Sequence, residues 1–457
     1  MSGIGQGERI GILGLARSGV AAARLALSRG AQVYASDFSD TDANRAAADT
    51  VRQLGGDAET GRHDLEKLAR CSRIVLSPGI PPSAPVLQAP ELAAISVIPE
   101  LEFAYEELTG LVVAITGTNG KTTVTALTAH LLRTARIDAE AGGNIGTALS
   151  DLVLRDPQPA VSVVETSSFQ LAGTRSFSPD IGVLTNLAPD HLDWYASVDD
   201  YYADKAKLFH NARSTSRWVL NAEDGPAAEL PADAAGGRFY FRVASEPEPG
   251  ERGGHLAADG WLTLRLDGLE ERLLPATDLR ILGPHNVANA LAAAIVARLV
   301  GADTDSIAAG LRSFQPMDHR LEPVAEKQGV LWVNDSKSTN IASTRVGIRS
   351  LDRPTILLLG GRHKGEPYGN LIPELEGRVR QVVAYGEAAP LIEESLASAV
   401  PVERVTGSFA DILQRAADFA RPGDAVLLSP ACSSYDMFRD YEDRGHQFRK
   451  LVLEEIS

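Results

Sequence analysis

The chain has 457 residues, 44% of them hydrophobic and 23% charged, which suits a soluble protein of two or three domains and excludes a disordered one. A net charge of −16 argues against a nucleic acid as partner, while a small anion on a locally basic loop stays admissible. Two cysteines, Cys71 and Cys432, cannot form a disulfide framework and suit a reducing compartment.

In chain order, apolar runs alternate with helical patterns, the signature of a parallel α/β sheet. Residues 1–6 lack the basic-then-apolar pattern of a secretion signal. Strands are predicted at 10–15, 32–36 and 74–76, and helices at 20–27 and 45–54. The loop 11–19 turns a strand into a helix and Asp37 closes the next strand, as in a Rossmann start, but the glycine spacing departs from G-x-G-x-x-G. That loop is expected to hold a nucleotide diphosphate rather than NAD; a tight turn without ligand fits it equally well. A proline-rich break follows at 77–82.

A second α/β unit begins near residue 99. The apolar run 111–115 leads into Thr116-Gly117-Thr118-Asn119-Gly120-Lys121-Thr122-Thr123 and then a helical pattern. Strand, glycine loop, Gly-Lys-Thr and helix is the layout of a P-loop, in which backbone N–H groups cradle phosphates, a lysine adds charge and a hydroxyl can ligate Mg²⁺. The usual first glycine position holds Ile115, and the early glycine is Gly117. An ordinary strand–turn–helix is the weaker reading. Glu165 ends another apolar run opposite that loop, where a carboxylate suits Mg²⁺, a hard cation. His191, between Asp190 and Asp193 after a strand at 181–185, is a candidate ligand or base. Lys205 and Lys207 lie on a predicted helix and by themselves read as a solvated face.

Residues 238–275 are predicted to form short antiparallel strands with turns at Asp259-Gly260 and Asp267-Gly268, before helices at 286–300 and 304–314 and a linker at 315–320. The 287–301 stretch is too short and too polar, with Asn289 and Arg298, to cross a bilayer. A third unit has strands at 331–333, 355–359, 382–385 and 425–429. Three polar loops, 334–340, 360–365 and 429–436, follow its strands and together would make a pocket for an anionic ligand.

These motifs, with His285-Asn286-Val287-Ala288-Asn289 and His319-Arg320, follow one another in the order of the Mur ligase family, which the chain resembles over nearly its whole length. Within it the chain is most similar to the members that add D-glutamate. The resemblance implies three α/β domains: a Rossmann-like domain binding the UDP substrate (1–98), a central P-loop ATP-binding domain (99–317) and a Rossmann-like amino-acid-binding domain (318–457). It implies an ATP-dependent ligase of peptidoglycan synthesis, cytoplasmic and monomeric, with no nucleic-acid partner and no membrane insertion. Catalysis would fall to Lys121, Glu165, His191 and Lys205. ATP would lie against Gly117 to Thr123, Asn286, Asn289, His319 and Arg320. Two Mg²⁺ ions would be held by Thr122, Glu165, His191 and Lys205, the last as a carbamate. UDP-N-acetylmuramoyl-L-alanine would meet Leu15, Ala16, Arg17, Ser18, Asp37, Ser77, Gly79, Asn144 and His191. D-Glutamate would meet Lys337, Thr339, Lys364, Ser434 and Tyr441. Two departures stand out: Tyr441 replaces an expected phenylalanine, and Arg362-His363 replace an acidic residue and a glycine. The rivals are another amino-acid ligase of the family (adding L-alanine or diaminopimelate, or a folylpolyglutamate synthase) and, from a different class, a P-loop regulatory ATPase. A dehydrogenase ranks lower because of the glycine spacing near Gly14.

Overall fold

Three sheets organise the described residues, 3–190 and 194–456, of the computed structural model. The first holds β1 (Arg9–Leu13), β2 (Gln32–Asp37), β3 (Asp57–Thr60), β4 (Arg73–Leu76) and β5 (Ser96–Pro99) in the order β3-β2-β1-β4-β5, every pair parallel. The winding reverses between β1 and β4, which puts the β1–helix turn and the end of β4 at a switch point, where such sheets bind ligands.

The second sheet has nine strands: β6 (Leu111–Thr116), β7 (Ala139–Gly143), β8 (Val161–Glu165), β9 (Ile181–Leu184), β10 (Arg217–Asn221), β11 (Gly237–Arg242), β12 (Gly253–Leu256), β13 (Trp261–Arg265) and β14 (Glu270–Pro275). Their order is β14-β13-β12-β11-β10-β9-β6-β8-β7. Central β6 is apolar and buried along nearly its whole length because helices cover both faces of such a strand. The antiparallel expectation for 238–275 needs correction: β11 pairs in parallel with β10 and β12, and only β12–β13 and β13–β14 are antiparallel. The expected turns are present, with Gly260 and Gly268 both at φ 83°.

The third sheet comprises β15 (Glu322–Lys327), β16 (Val330–Asn334), β17 (Thr355–Gly360), β18 (Val379–Tyr385), β19 (Val402–Arg404) and β20 (Ala425–Leu428), ordered β15-β16-β20-β17-β18-β19. All its pairs are parallel except β15–β16.

The chain resolves into two compact units, Met1–Ala276 with Ala288–Arg312, and Thr277–Val287 with Ser313–Ser457. The first unit carries two sheets. Within it, the short helix Glu100–Tyr105 ties them together through buried carboxylates: Glu100 accepts from the Ser150 amide and hydroxyl, and Glu102 from the amides of Ser176 and Phe177. No helix of the described residues is long and apolar enough to cross a membrane.

Candidate active site

In the first unit, the turn between β6 and the helix Lys121–Thr134 is built by two glycines at positive φ, 143° at Gly117 and 83° at Gly120. A side chain could not replace either. A Cβ on Gly117 would stand 2.0 Å from Thr185 Oγ1, and one on Gly120 would stand 2.5 Å from Asn289 Oδ1. Gly120 caps the helix without a side chain, so the first-turn amides point outward, the arrangement that holds phosphate.

The loop is fastened to the end of β9. The Thr118 amide donates to Asn186 O at 2.9 Å, the Asn119 amide to Asn186 Oδ1 at 2.9 Å, and the Thr185 hydroxyl to Asn119 O at 2.6 Å. Thr118 Oγ1 donates to Ala188 O at 3.1 Å and lies 3.2 Å from the Tyr201 hydroxyl. Thr185 and Tyr201 were not among the expected site residues. Thr122 is buried and Thr123 half-buried in the first helical turn. Lys121 Nζ curls back to the carbonyls of Gly117 (3.0 Å) and Thr118 (2.9 Å), where a phosphate chain would compete for it.

Lys205 comes to the same loop from the helix Val198–Ala206. It is not on a solvated face: it is 1% exposed, and its Nζ donates to Gly117 O at 2.8 Å. Burial drives its pKa well below the ordinary lysine value, and the Lys121 charge pushes in the same direction, against Asp190, Glu165 and Asp204. Lys207, two residues on, instead pairs with Asp204 at 2.9 Å.

Glu165, at the end of β8, is 1% exposed. Its Oε1 accepts from Asn144 Nδ2 at 2.8 Å, whereas Oε2 is buried with no hydrogen-bond partner among the described residues. A buried carboxylate oxygen left unpaired is costly, and a hard cation would satisfy it, so the donor set fits Mg²⁺. His191 lies outside the described residues. Thus Gly117 to Thr123, Asn289, Glu165, Asn144 and Lys205 belong to one unit and one neighbourhood of the P-loop.

At the first sheet, Ala16, Ser18, Asp37, Ser77 and Gly79 line one cavity of about 690 Å³, with Phe38 beside them. The Leu15 amide donates to Asp37 Oδ2 at 2.8 Å, joining the β1 turn to the end of β2. The Leu15 side chain turns into the core, and Arg17 is exposed at the first turn of the following helix.

The second unit holds the remaining residues. Asn286, in the first turn of the helix Pro284–Val300, donates from Nδ2 to Leu282 O at 2.7 Å. His319 stands at φ 63°, buried, 3.0 Å from Asn334 Nδ2, and Arg320 follows it. Beyond β16, Lys337 Nζ donates to the Tyr441 hydroxyl at 2.8 Å. Lys364 Nζ donates to Thr339 Oγ1 at 3.1 Å, which joins two of the three loops. The third is joined to the Lys364 loop by the Arg362–Ser433 backbone bridge, next to buried Ser434. Arg362 is held by both oxygens of Glu387 at 3.0 Å, and His363 Nδ1 lies 3.2 Å from the Tyr368 hydroxyl. Sequence reading passed over Arg444, which is wholly buried and donates to Ser336 Oγ at 2.9 Å and Ser336 O at 2.8 Å. It also missed Asp335 as a buried acid: burial raises its pKa to about 6 even though it accepts from Ser429.

Three family models match the chain in succession: a Mur ligase MurD-like N-terminal domain over residues 8–99, a Mur ligase middle domain over 115–297, and a Mur ligase glutamate ligase domain over 319–432. The chain is 42% identical to the UDP-N-acetylmuramoylalanine–D-glutamate ligase of Anaeromyxobacter dehalogenans, over 98% of each chain. It is 40% identical to the enzyme of the same name from Salinibacter ruber, over 97% of each. Among solved structures, the pseudomurein peptide ligase type C of Methanothermus fervidus matches with a TM-score of 0.60 at 19% identity, over 98% of this chain and 100% of that one, a likeness of fold.

Proposed function

The chain belongs to the Mur ligase family, and from that premise we propose that it joins D-glutamate to UDP-N-acetylmuramoyl-L-alanine at the expense of ATP, in peptidoglycan synthesis. The observation that carries the reading is the likeness, over nearly the full length of both chains, to ligases named for this reaction. The three-domain division at 98/99 and 317/318 and the residue roles below are part of the same proposal.

A carboxylate is a poor acyl donor because its leaving group would be oxide. Phosphorylation removes that obstacle. The alanyl carboxylate attacks the γ-phosphorus of ATP, ADP leaves, and an acyl phosphate results. The amine of D-glutamate then attacks the acyl carbon, loses a proton and expels phosphate. The protein's task is positioning and charge stabilisation. The outward amides of the helix Lys121–Thr134 hold phosphate oxygens, and Lys121 exchanges its loop carbonyls for them. The uncharged amine of Lys205 adds CO₂ and releases a proton, becoming a carbamate with anionic oxygens beside Glu165. Thr122, Glu165 and that carbamate would hold Mg²⁺, which when bound screens the repulsion between carboxylate and phosphate. Asn144 fixes the Glu165 carboxylate. The cavity bounded by Ser18, Asp37 and Ser77 takes the uridine diphosphate.

In the second unit, a dicarboxylic amino acid needs a cation for its distal carboxylate. Arg362 is already bound by Glu387, while among the described residues Lys364 has only a hydroxyl, Thr339, as its hydrogen-bond partner. Lys364→Ala is therefore expected to raise the KM for D-glutamate about tenfold or more, the scale of a charge-assisted hydrogen bond, with the KM values for ATP and the nucleotide sugar little changed. Arg362→Ala should leave the D-glutamate KM within about twofold; a defect confined to Arg362→Ala would move the role to that residue.

The reading as a whole is tested by phosphate release from ATP in the presence of UDP-N-acetylmuramoyl-L-alanine. D-Glutamate should stimulate it, and L-glutamate, L-alanine and diaminopimelate should not. Stimulation by one of the others would assign the chain to another branch of the family.

A further inference from the structure

Tyr441 departs from the expected phenylalanine by one oxygen atom, and that atom has two partners. Lys337 Nζ donates to it at 2.8 Å, and the phenol proton goes to Glu442 Oε1 at 2.9 Å. The same ammonium lies 4.1 Å from the centre of the Tyr441 ring, within cation–π range. Each donor and acceptor in Lys337–Tyr441–Glu442 is used in one sense only, because an ammonium can only donate and a carboxylate only accept. The ring is held at its base. The Ser336 hydroxyl donates to Tyr441 O at 2.8 Å, Arg444 holds Ser336 in turn, and Asp440 caps the helix Tyr441–Glu454 by accepting from the Asp443 amide at 2.7 Å. The phenol thus joins the loop after β16 to the first turn of the last helix and gives the Lys337 ammonium an oriented acceptor.

We propose that Tyr441 is a positioning residue that acts through its hydroxyl: it holds the Lys337 ammonium in the amino-acid site, with Glu442 orienting the phenol. A phenylalanine would keep the ring face under the ammonium but would remove the hydroxyl contact that helps to direct it. The inference rests on the reading of this unit as the amino-acid site, and it adds a role for an atom that the family pattern does not require.

Tyr441→Phe removes the oxygen and keeps the packing. Its KM for D-glutamate should rise about fivefold or more, with kcat and the KM values for ATP and the nucleotide sugar within about twofold, the effect of one hydrogen bond to a charged group. Glu442→Gln should move the same KM in the same direction by less, and the double variant should add little to Tyr441→Phe, since both changes act on one chain of contacts. Circular dichroism and the thermal midpoint of Tyr441→Phe should match the parent. An unchanged D-glutamate KM in a folded Tyr441→Phe protein, or an equal rise in all three KM values, overturns the proposal. A parent protein that uses a different amino acid overturns the function above instead, and the same comparison is then read with that amino acid.

Discussion

Lys205→Ala should be nearly inactive, by at least about 10²-fold in kcat, the scale of losing one fixed electrostatic group from such a site. A lysine buried among protein atoms is expensive as an ammonium, and here Lys121 adds a second positive charge nearby. Both effects push the lysine toward the uncharged amine, the only form that can add CO₂. Acetate or another short carboxylate should restore part of the activity by supplying the missing oxygens, and depletion of CO₂ and bicarbonate should slow the parent. Lys205→Arg separates this role from the hydrogen bond to Gly117 O, because a guanidinium can still donate but cannot form the carbamate. Full activity in Lys205→Ala without added acid, or in Lys205→Arg, would make Lys205 a structural donor only.

Lys121→Ala should lose roughly 10² or more in kcat while keeping its fold, as judged by circular dichroism. The ammonium donates to two carbonyls of its own loop, Gly117 O and Thr118 O, groups that a phosphate chain can replace as partners. Its contribution is reserved for the transferring phosphoryl group, where negative charge gathers. Near-normal turnover in a folded Lys121→Ala protein would take the P-loop out of the mechanism.

The centres of the second and third sheets were legible because parallel strands buried on both faces read as unbroken apolar runs, as at 111–115 and 356–359. The strands β3, β5 and β7 were passed over: each is four or five residues long, and Asp57–Thr60 and Ala139–Gly143 are largely polar or glycine. The pairing of β11 with β12 was misjudged because turn chemistry marks only hairpins, and these strands are joined by the longer segment 243–252, which returns the chain in the same direction. At the site, spacing alone could not tell Lys205 from Lys207. Two helical positions apart face different ways, and only the packed structure shows that one is interior and the other surface-paired. Thr185 and Arg444 carried no signal for a related reason: the contacts that place them, to Asn119 and Ser336, reach across more than 60 residues of chain.

Carboxylate activation by direct phosphoryl transfer is the central step of the reaction, and an isotope measurement tests it most directly. UDP-N-acetylmuramoyl-L-alanine carrying heavy oxygen in its alanyl carboxylate is converted with ATP and D-glutamate, and the released phosphate is examined by mass spectrometry. The acyl-phosphate route predicts one heavy oxygen in each phosphate, formed in step with the new amide. Unlabelled phosphate, or ATP hydrolysis that proceeds without amide formation, would contradict it and leave the chain a P-loop ATPase.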